Sequence, residues 1–392
     1  MSRPPGGCAG CGENAAVPPR SHVFPAACAL ALALGLAGCG TPAPGGGEAG
    51  FEPANARALV AQLLPERVSD RAGWAADLTA ALVALELPAT PAHLCAVLAV
   101  TEQESGYQVD PPVPGLAAIA RKEIDRRAER IGVPALAVRA VLAVASSDGR
   151  SYAERLEGVK TERELSELYE DFVERVPLGR SFLAERNPVR TGGPMQVGVA
   201  FAEEQVRAQR YPYPLRGSVR HEVFTRRGGL YFGAAHLLAY RAPYAQMIYR
   251  FADFNAGRWA SRNVAFQQAL ARLSGRTLVL DGDLLPPPGA NAVGQTEAAA
   301  LALAGRLDLS PEAVRRQLAQ GTAPDFEASA LYRRVFEQAD AQAARALPRA
   351  LLPRIDLQSP KFTRKLSTEW FARRVDERYQ RCLARIEALQ AG

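Results

Sequence analysis

From Phe51 onward apolar residues recur at three- and four-residue spacing on a background of Ala, Leu, Arg and Glu, the pattern of amphipathic helices. The spacing predicts helices near 55–65, 72–86, 91–104, 116–131, 134–146, 161–175, 199–208, 228–240, 243–254, 262–272, 296–306, 311–319, 325–346 and 367–389. Thr90-Pro91 and Ser310-Pro311 each put a hydroxyl at an N-cap and a proline in the first turn. The helix opening at Pro91 carries Leu94, Val97, Leu98 and Thr101 on one stripe and stops at Gly106, a residue suited to ending a helix. One stretch, Arg276-Thr277-Leu278-Val279-Leu280, reads as a strand. The turn residues that follow, Asp281-Gly282-Asp283 and Pro286-Pro287-Pro288-Gly289, make the best boundary. The expected class is therefore mainly α: a helical domain over 53–275, an insertion at about 116–187, and a helical C-terminal region over 276–392.

Composition narrows the function classes. Of 392 residues, 48% are hydrophobic and 22% charged, which excludes a long disordered protein. Past residue 40 no apolar run is long enough to span a bilayer. Lys plus Arg is 47 against 41 for Asp plus Glu, a net charge of +6, but the arginines are spread along the whole chain, so no nucleic-acid partner is expected. His93, His221 and His236 show no metal-ligand spacing, and no nucleophile elbow is present; neither metal nor cofactor is expected.

Arg20 and His22 precede an apolar run from Ala26 to Leu36, which stops at Leu36-Ala37-Gly38-Cys39-Gly40. This arrangement resembles a bacterial lipoprotein signal peptide. The resemblance implies removal of residues 1–38, lipidation of Cys39, a flexible linker over 39–52 and contact with the membrane through the lipid. Gly40 after the cysteine implies the periplasmic face of the outer membrane. Cys8, Cys11 and Cys28 would leave with the leader, so Cys95 and Cys382 remain, either as a disulfide or as two buried thiols.

Glu104 falls beside Val97 and Val100 at one edge of the apolar stripe, and Glu102 at the other. Partial burial and the negative end of the helix both disfavour ionisation of Glu104, so its pKa should rise toward the range of a general acid. Two further segments stand out: Thr191-Gly192-Gly193-Pro194-Met195-Gln196-Val197, and Phe251-Ala252-Asp253-Phe254-Asn255-Ala256-Gly257. Taken in chain order, Glu104-Ser105-Gly106-Tyr107, Gly193-Pro194-Met195-Gln196 and Phe254-Asn255-Ala256-Gly257 resemble the three signature motifs of the soluble lytic transglycosylase and goose-type lysozyme family. The resemblance covers residues 85–272. It implies a lysozyme-like fold, peptidoglycan glycan strands as the partner, Glu104 as the single catalytic acid/base, and Ser105, Gly193, Met195, Gln196, Phe254 and Asn255 as the substrate-binding set. Gly192 and Gly193 would let backbone approach a sugar, and the Gln196 and Asn255 amides would pair with acetamido groups and hydroxyls.

Such an enzyme needs one carboxyl group: Glu104 would protonate the glycosidic oxygen, and the product would close a 1,6-anhydro ring on muramic acid. A hydrolytic muramidase would need a second carboxylate or a held water, for which Asp110 is one candidate. The sequence departs from the family at Phe254, where a tyrosine is usual, at Pro194, where a leucine is usual, and in the long stretch between Glu104 and Gly193, whose charged run Lys160–Glu174 reads as a solvated helix face. Two functions stand against each other: a lipid-anchored lytic transglycosylase, or a non-catalytic murein-binding or scaffolding lipoprotein with a degenerate groove. The sequence leaves protein partners open, and the insertion is expected either to cover the groove or to form a partner surface.

Overall fold

The computed structural model describes residues 50–176, 183, 186–287, 289–290, 292–357 and 365–391. The leader 1–38 and Cys39 lie outside the described residues. Glu48–Gly392 form one compact unit. Its chain runs through α1 (Pro53–Leu63), α2 (Arg71–Ala84), α3 (Pro91–Ser105), α4 (Leu116–Arg130), α5 (Ala135–Leu142), α6 (Tyr152–Gly158) and α7 (Glu162–Arg175). The hairpin β1 (Thr191–Gly192) and β2 (Val197–Gly198) follows, then α8 (Val199–Ala208), α9 (Val219–Val223), α10 (Arg226–Leu238), α11 (Met247–Ala256), α12 (Ala260–Ser274), α13 (Gln295–Ala302), α14 (Pro311–Leu318) and α15 (Ala330–Ala343). A second antiparallel pair, β3 (Asp356–Leu357) and β4 (Leu366–Ser367), precedes α16 (Thr368–Ala391). The fold is mainly α.

The helix starts follow from local chemistry. The Thr90 hydroxyl accepts from the His93 amide and the Ser310 hydroxyl from the Ala313 amide, each ahead of a proline that has no N–H to satisfy. Thr161 and Glu164 complete a reciprocal capping box at the start of α7. The strand expected at 276–280 is absent: this segment is irregular, Leu278 is buried, and the Val279 amide donates to the Gln295 side chain at 3.3 Å. A β-branched run becomes a strand only against a partner strand, and here it lies against helices.

Three buried clusters organise these elements. The first is built from α1, α2, α3, the β1–β2 hairpin, α10, α11 and, from the far end of the chain, α16. The second gathers α12 to α15 around Phe266, Phe326, Tyr332 and Phe336. The third, a small core inside the insertion, joins Leu116, Val138, Leu142, Tyr152, Leu156 and Leu168. This partition differs from the sequence reading at two places. α12 belongs to the second core, and α16 returns to the first, where Cys382 is joined to Cys95 of α3 by a disulfide. The choice left open in the sequence is thus resolved as a disulfide. Because α16 covers it, α3 is buried on nearly all sides, with Cys95 and Ala96 as inaccessible as Leu94 and Val97. Among the described residues no helix is long and apolar enough to cross a membrane.

Candidate functional site

The C-terminal end of α3 is held rigidly. Gly106 (φ 58°) and Tyr107 (φ 67°) are both left-handed, and the Gly106 amide closes on the Glu102 carbonyl at 3.1 Å. The Tyr107 hydroxyl donates to the Leu98 carbonyl at 3.2 Å, and its ring meets Trp74 edge-on. Ser105 is buried, its hydroxyl donating to the Thr101 carbonyl at 3.0 Å, so it braces the last turn from within. The two carboxylates of this turn have different surroundings. Glu102 reaches Arg378 of α16 at 3.8 Å. Glu104 is crowded by protein yet keeps part of its surface open to solvent; burial, and after it the like charge of Glu162, push its pKa up to about 8.

The β1–β2 hairpin presents the second motif. Thr191 pairs with Gly198 and Gly192 with Val197, and the tight connection forces Gly193 (φ 71°) and Gln196 (φ 49°) into left-handed backbone. For a glutamine this conformation stores on the order of 1 kcal/mol or more of strain. The glycines serve the protein's own packing. A Cβ on Gly193 would collide with the Val223 carbonyl oxygen, and one on Gly192 with the Phe224 ring. On α10, Gly229 admits Pro194 and Gly233 admits Met195 in the same way. Met195 is wholly buried, so its side chain seats the hairpin rather than offering contact surface. Gln196 is half-buried; its amide donates to the Gly193 carbonyl at 3.4 Å and accepts from Thr191 at 3.3 Å, two long bonds that a better partner can displace.

The third motif closes α11. Below it, the buried Asp253 carboxylate accepts from the backbone amides of Trp259 (3.0 Å) and Ser261 (2.8 Å) and from the hydroxyls of Tyr240 (2.9 Å) and Tyr244. These bonds tie the end of α11 to the start of α12. The Phe254 ring packs edge-on against His236 of α10, whose Nε2 donates to the Phe254 carbonyl at 3.3 Å. Burial, aided by the Arg258 guanidinium, holds the His236 pKa down at about 4, so the ring is neutral. The amide oxygen of Asn255 is buried in the protein without a hydrogen-bond partner. An unmet buried acceptor costs roughly 1–3 kcal/mol, which a ligand donor would recover.

α10 is the scaffold common to all three motifs, packing against α3, β2 and α11. Arg226 at its start is fixed by Asp70 and Asp77, both at 2.6 Å. The insertion meets the same region: Val113 donates to the Lys160 carbonyl at 2.9 Å, Pro112 bridges Thr161, and Arg163 pairs with Asp110 at 2.9 Å. Asp110, the candidate second carboxylate, is therefore engaged by Arg163. The sequence marks neither Glu162 nor Arg378, and marks His236 only as a histidine without metal-ligand spacing. The Thr161-Glu164 spacing marks a helix start beside Glu162, but nothing local indicates that this start lies near Glu104.

The arrangement defines a mainly α protein in which the raised-pKa carboxyl of the partly open Glu104 and two amide-bearing motifs lie on elements packed against one helix. The chain belongs to the family described as protein of unknown function (DUF1615), matched over residues 67–385, a span that runs through all three cores. It is 49% identical over 354 residues to the uncharacterized protein YaiW of Escherichia coli (strain K12), which covers 90% of this chain and 96% of that protein. No solved structure matches it.

Proposed function

We propose that this protein is a lipid-anchored lytic transglycosylase that cleaves peptidoglycan between N-acetylmuramic acid and N-acetylglucosamine. The observation that carries the reading is Glu104, a carboxyl whose pKa stands near 8 at the partly open end of a buried helix. At neutral pH it retains the proton that a general acid must deliver. In the proposed reaction Glu104 protonates the glycosidic oxygen as the bond to the muramic C1 breaks, and the substrate's acetamido group stabilises the developing cation. The resulting carboxylate then takes the proton of the muramic 6-hydroxyl, whose oxygen bonds to C1 and closes the anhydro ring. No second carboxylate is required, in keeping with the Asp110–Arg163 pair. The amides of Gln196 and Asn255 are assigned to the acetamido and hydroxyl groups of the glycan, and lipidated Cys39 to the outer-membrane anchor.

A second reading has its own support. Phe254 lacks the hydroxyl usual at this place in the transglycosylase motif it resembles, and its ring packs against His236. A murein-binding lipoprotein that has lost turnover would show this substitution. Mass analysis of muropeptides from purified sacculi separates the cases: anhydro ends mark the transglycosylase, reducing ends a hydrolase, and no products the binding protein. In the last case Phe254→Tyr is the substitution expected to restore cleavage.

A further inference from the structure

Among the described residues, the insertion carries an exposed apolar surface. From Ile131 to Ala145 the chain has a single charged residue, Arg139. Only Val138 and Leu142 of this stretch's large side chains turn into the insertion's own core, whereas Ile131 (75%), Leu136 (70%) and Val144 (54%) are exposed, as are Val133 and Val141. Scattered exposed apolar residues are ordinary, but a contiguous group on one short helix and its flanking turns marks an interaction surface.

We propose that the 131–145 tip of the insertion embeds in the membrane leaflet that holds the protein's lipid anchor, adding a second, side-chain contact with lipid. Three observations favour lipid over a protein partner. First, the patch is convex: Leu136 and Val141 project about 140° apart around α5, so no single flat partner face covers both, whereas a fluid acyl layer surrounds a tip from several sides. Second, Arg130 borders the patch and Arg139 lies within it, both exposed, as an anionic headgroup layer requires. Third, the reach is sufficient. The Phe51 amide donates to the Ala89 carbonyl at 3.0 Å, beside the N-terminal end of α3, and the insertion leaves from its other end. That helix of 15 residues is about 22 Å long, and the roughly 11 residues from Cys39 to Gly50 extend to at most about 38 Å. A leaflet holding Cys39 is thus within range of the end of α3 from which the insertion leaves. This last argument rests on the lipid-anchor reading; the first two do not.

The test uses the chain from Gly40 onward, which carries no lipid and keeps the whole compact unit Glu48–Gly392. It is sedimented with vesicles rich in phosphatidylglycerol. The wild-type chain is expected to bind, and Leu136→Asp and Ile131→Asp are each expected to lower the vesicle partition coefficient roughly tenfold or more. Both side chains are exposed, so the circular dichroism and melting of the variants should match wild type. Absence of vesicle binding by the wild-type chain, or equal binding by both variants, overturns the proposal. So does self-association of the wild type that Leu136→Asp abolishes, because the patch is then an interface between copies. None of these outcomes bears on Cys39, whose lipid is read separately by mass spectrometry of the processed protein, or on Glu104.

Discussion

Glu104, at the end of the first core's central helix, is acted on by the like charge of Glu162, in the first turn of a helix of the insertion: after burial, that charge is the second cause that raises the Glu104 pKa. The insertion therefore takes part in the electrostatics of the site. Glu162→Gln removes the smaller of the two causes. The alkaline limb of the cleavage profile should move to lower pH, yet stay above the range of an ordinary carboxyl because burial persists. A pH–rate profile that does not move would disconnect the two residues.

The same proton has a consequence for stability. The folded pKa of Glu104, about 8, lies above its ordinary value of 4.5. The stabilisation that comes from burying the neutral form is complete below about pH 4.5 and is lost as pH rises toward 8. Glu104→Gln should therefore match wild type near pH 4 and exceed it by a few kcal/mol at pH 8. Denaturant unfolding at the two pH values measures this without any substrate.

Gln196 allows strain and recognition to be separated. Gln196→Ala should weaken binding of glycan fragments by roughly 1–3 kcal/mol with little effect on the fold. Gln196→Gly should lose the same affinity while melting at or above the wild-type temperature, since glycine relieves the left-handed backbone. Calorimetric titration together with thermal melts reads both; unchanged affinity in the two variants would remove Gln196 from the contact set.

The Cys95–Cys382 disulfide closes a loop that contains the second and third cores. Replacing both cysteines with alanine should lower stability by on the order of 2–5 kcal/mol, seen as an earlier melt that added reductant no longer changes. Equal melting of the two forms would show that the packing of α16 on α3 suffices alone.

Much of the helical framework was legible because it is written locally. Thr90-Pro91, Ser310-Pro311 and Gly106 mark their helix ends within a few residues of sequence, and the stripe through Leu94 and Val97 announces burial. What escaped was long-range. That stripe does not reveal that α16 seals the opposite face of α3, because the partner lies at the far end of the chain. α6 is short and its start depends on a capping box, Ser151 with Glu154, more than on periodicity. Gly192 and Gly193 read equally well as a sugar-facing loop and as a close-packed hairpin, and only the positions of Val223 and Phe224 distinguish these. The raised pKa of Glu104 was legible from its neighbours, whereas the nearness of Glu162 and Arg378 required the folded chain.

The central claim is that Glu104 alone supplies the catalytic proton, and Glu102, two residues away and paired with Arg378, is its internal control. The direct measurement is digestion of purified sacculi by wild type, Glu104→Gln and Glu102→Gln, with the released muropeptides identified by mass. The account predicts 1,6-anhydro products from wild type, a loss of about 10²–10⁴-fold in Glu104→Gln and a far smaller loss in Glu102→Gln. Wild-type rates in Glu104→Gln would contradict it.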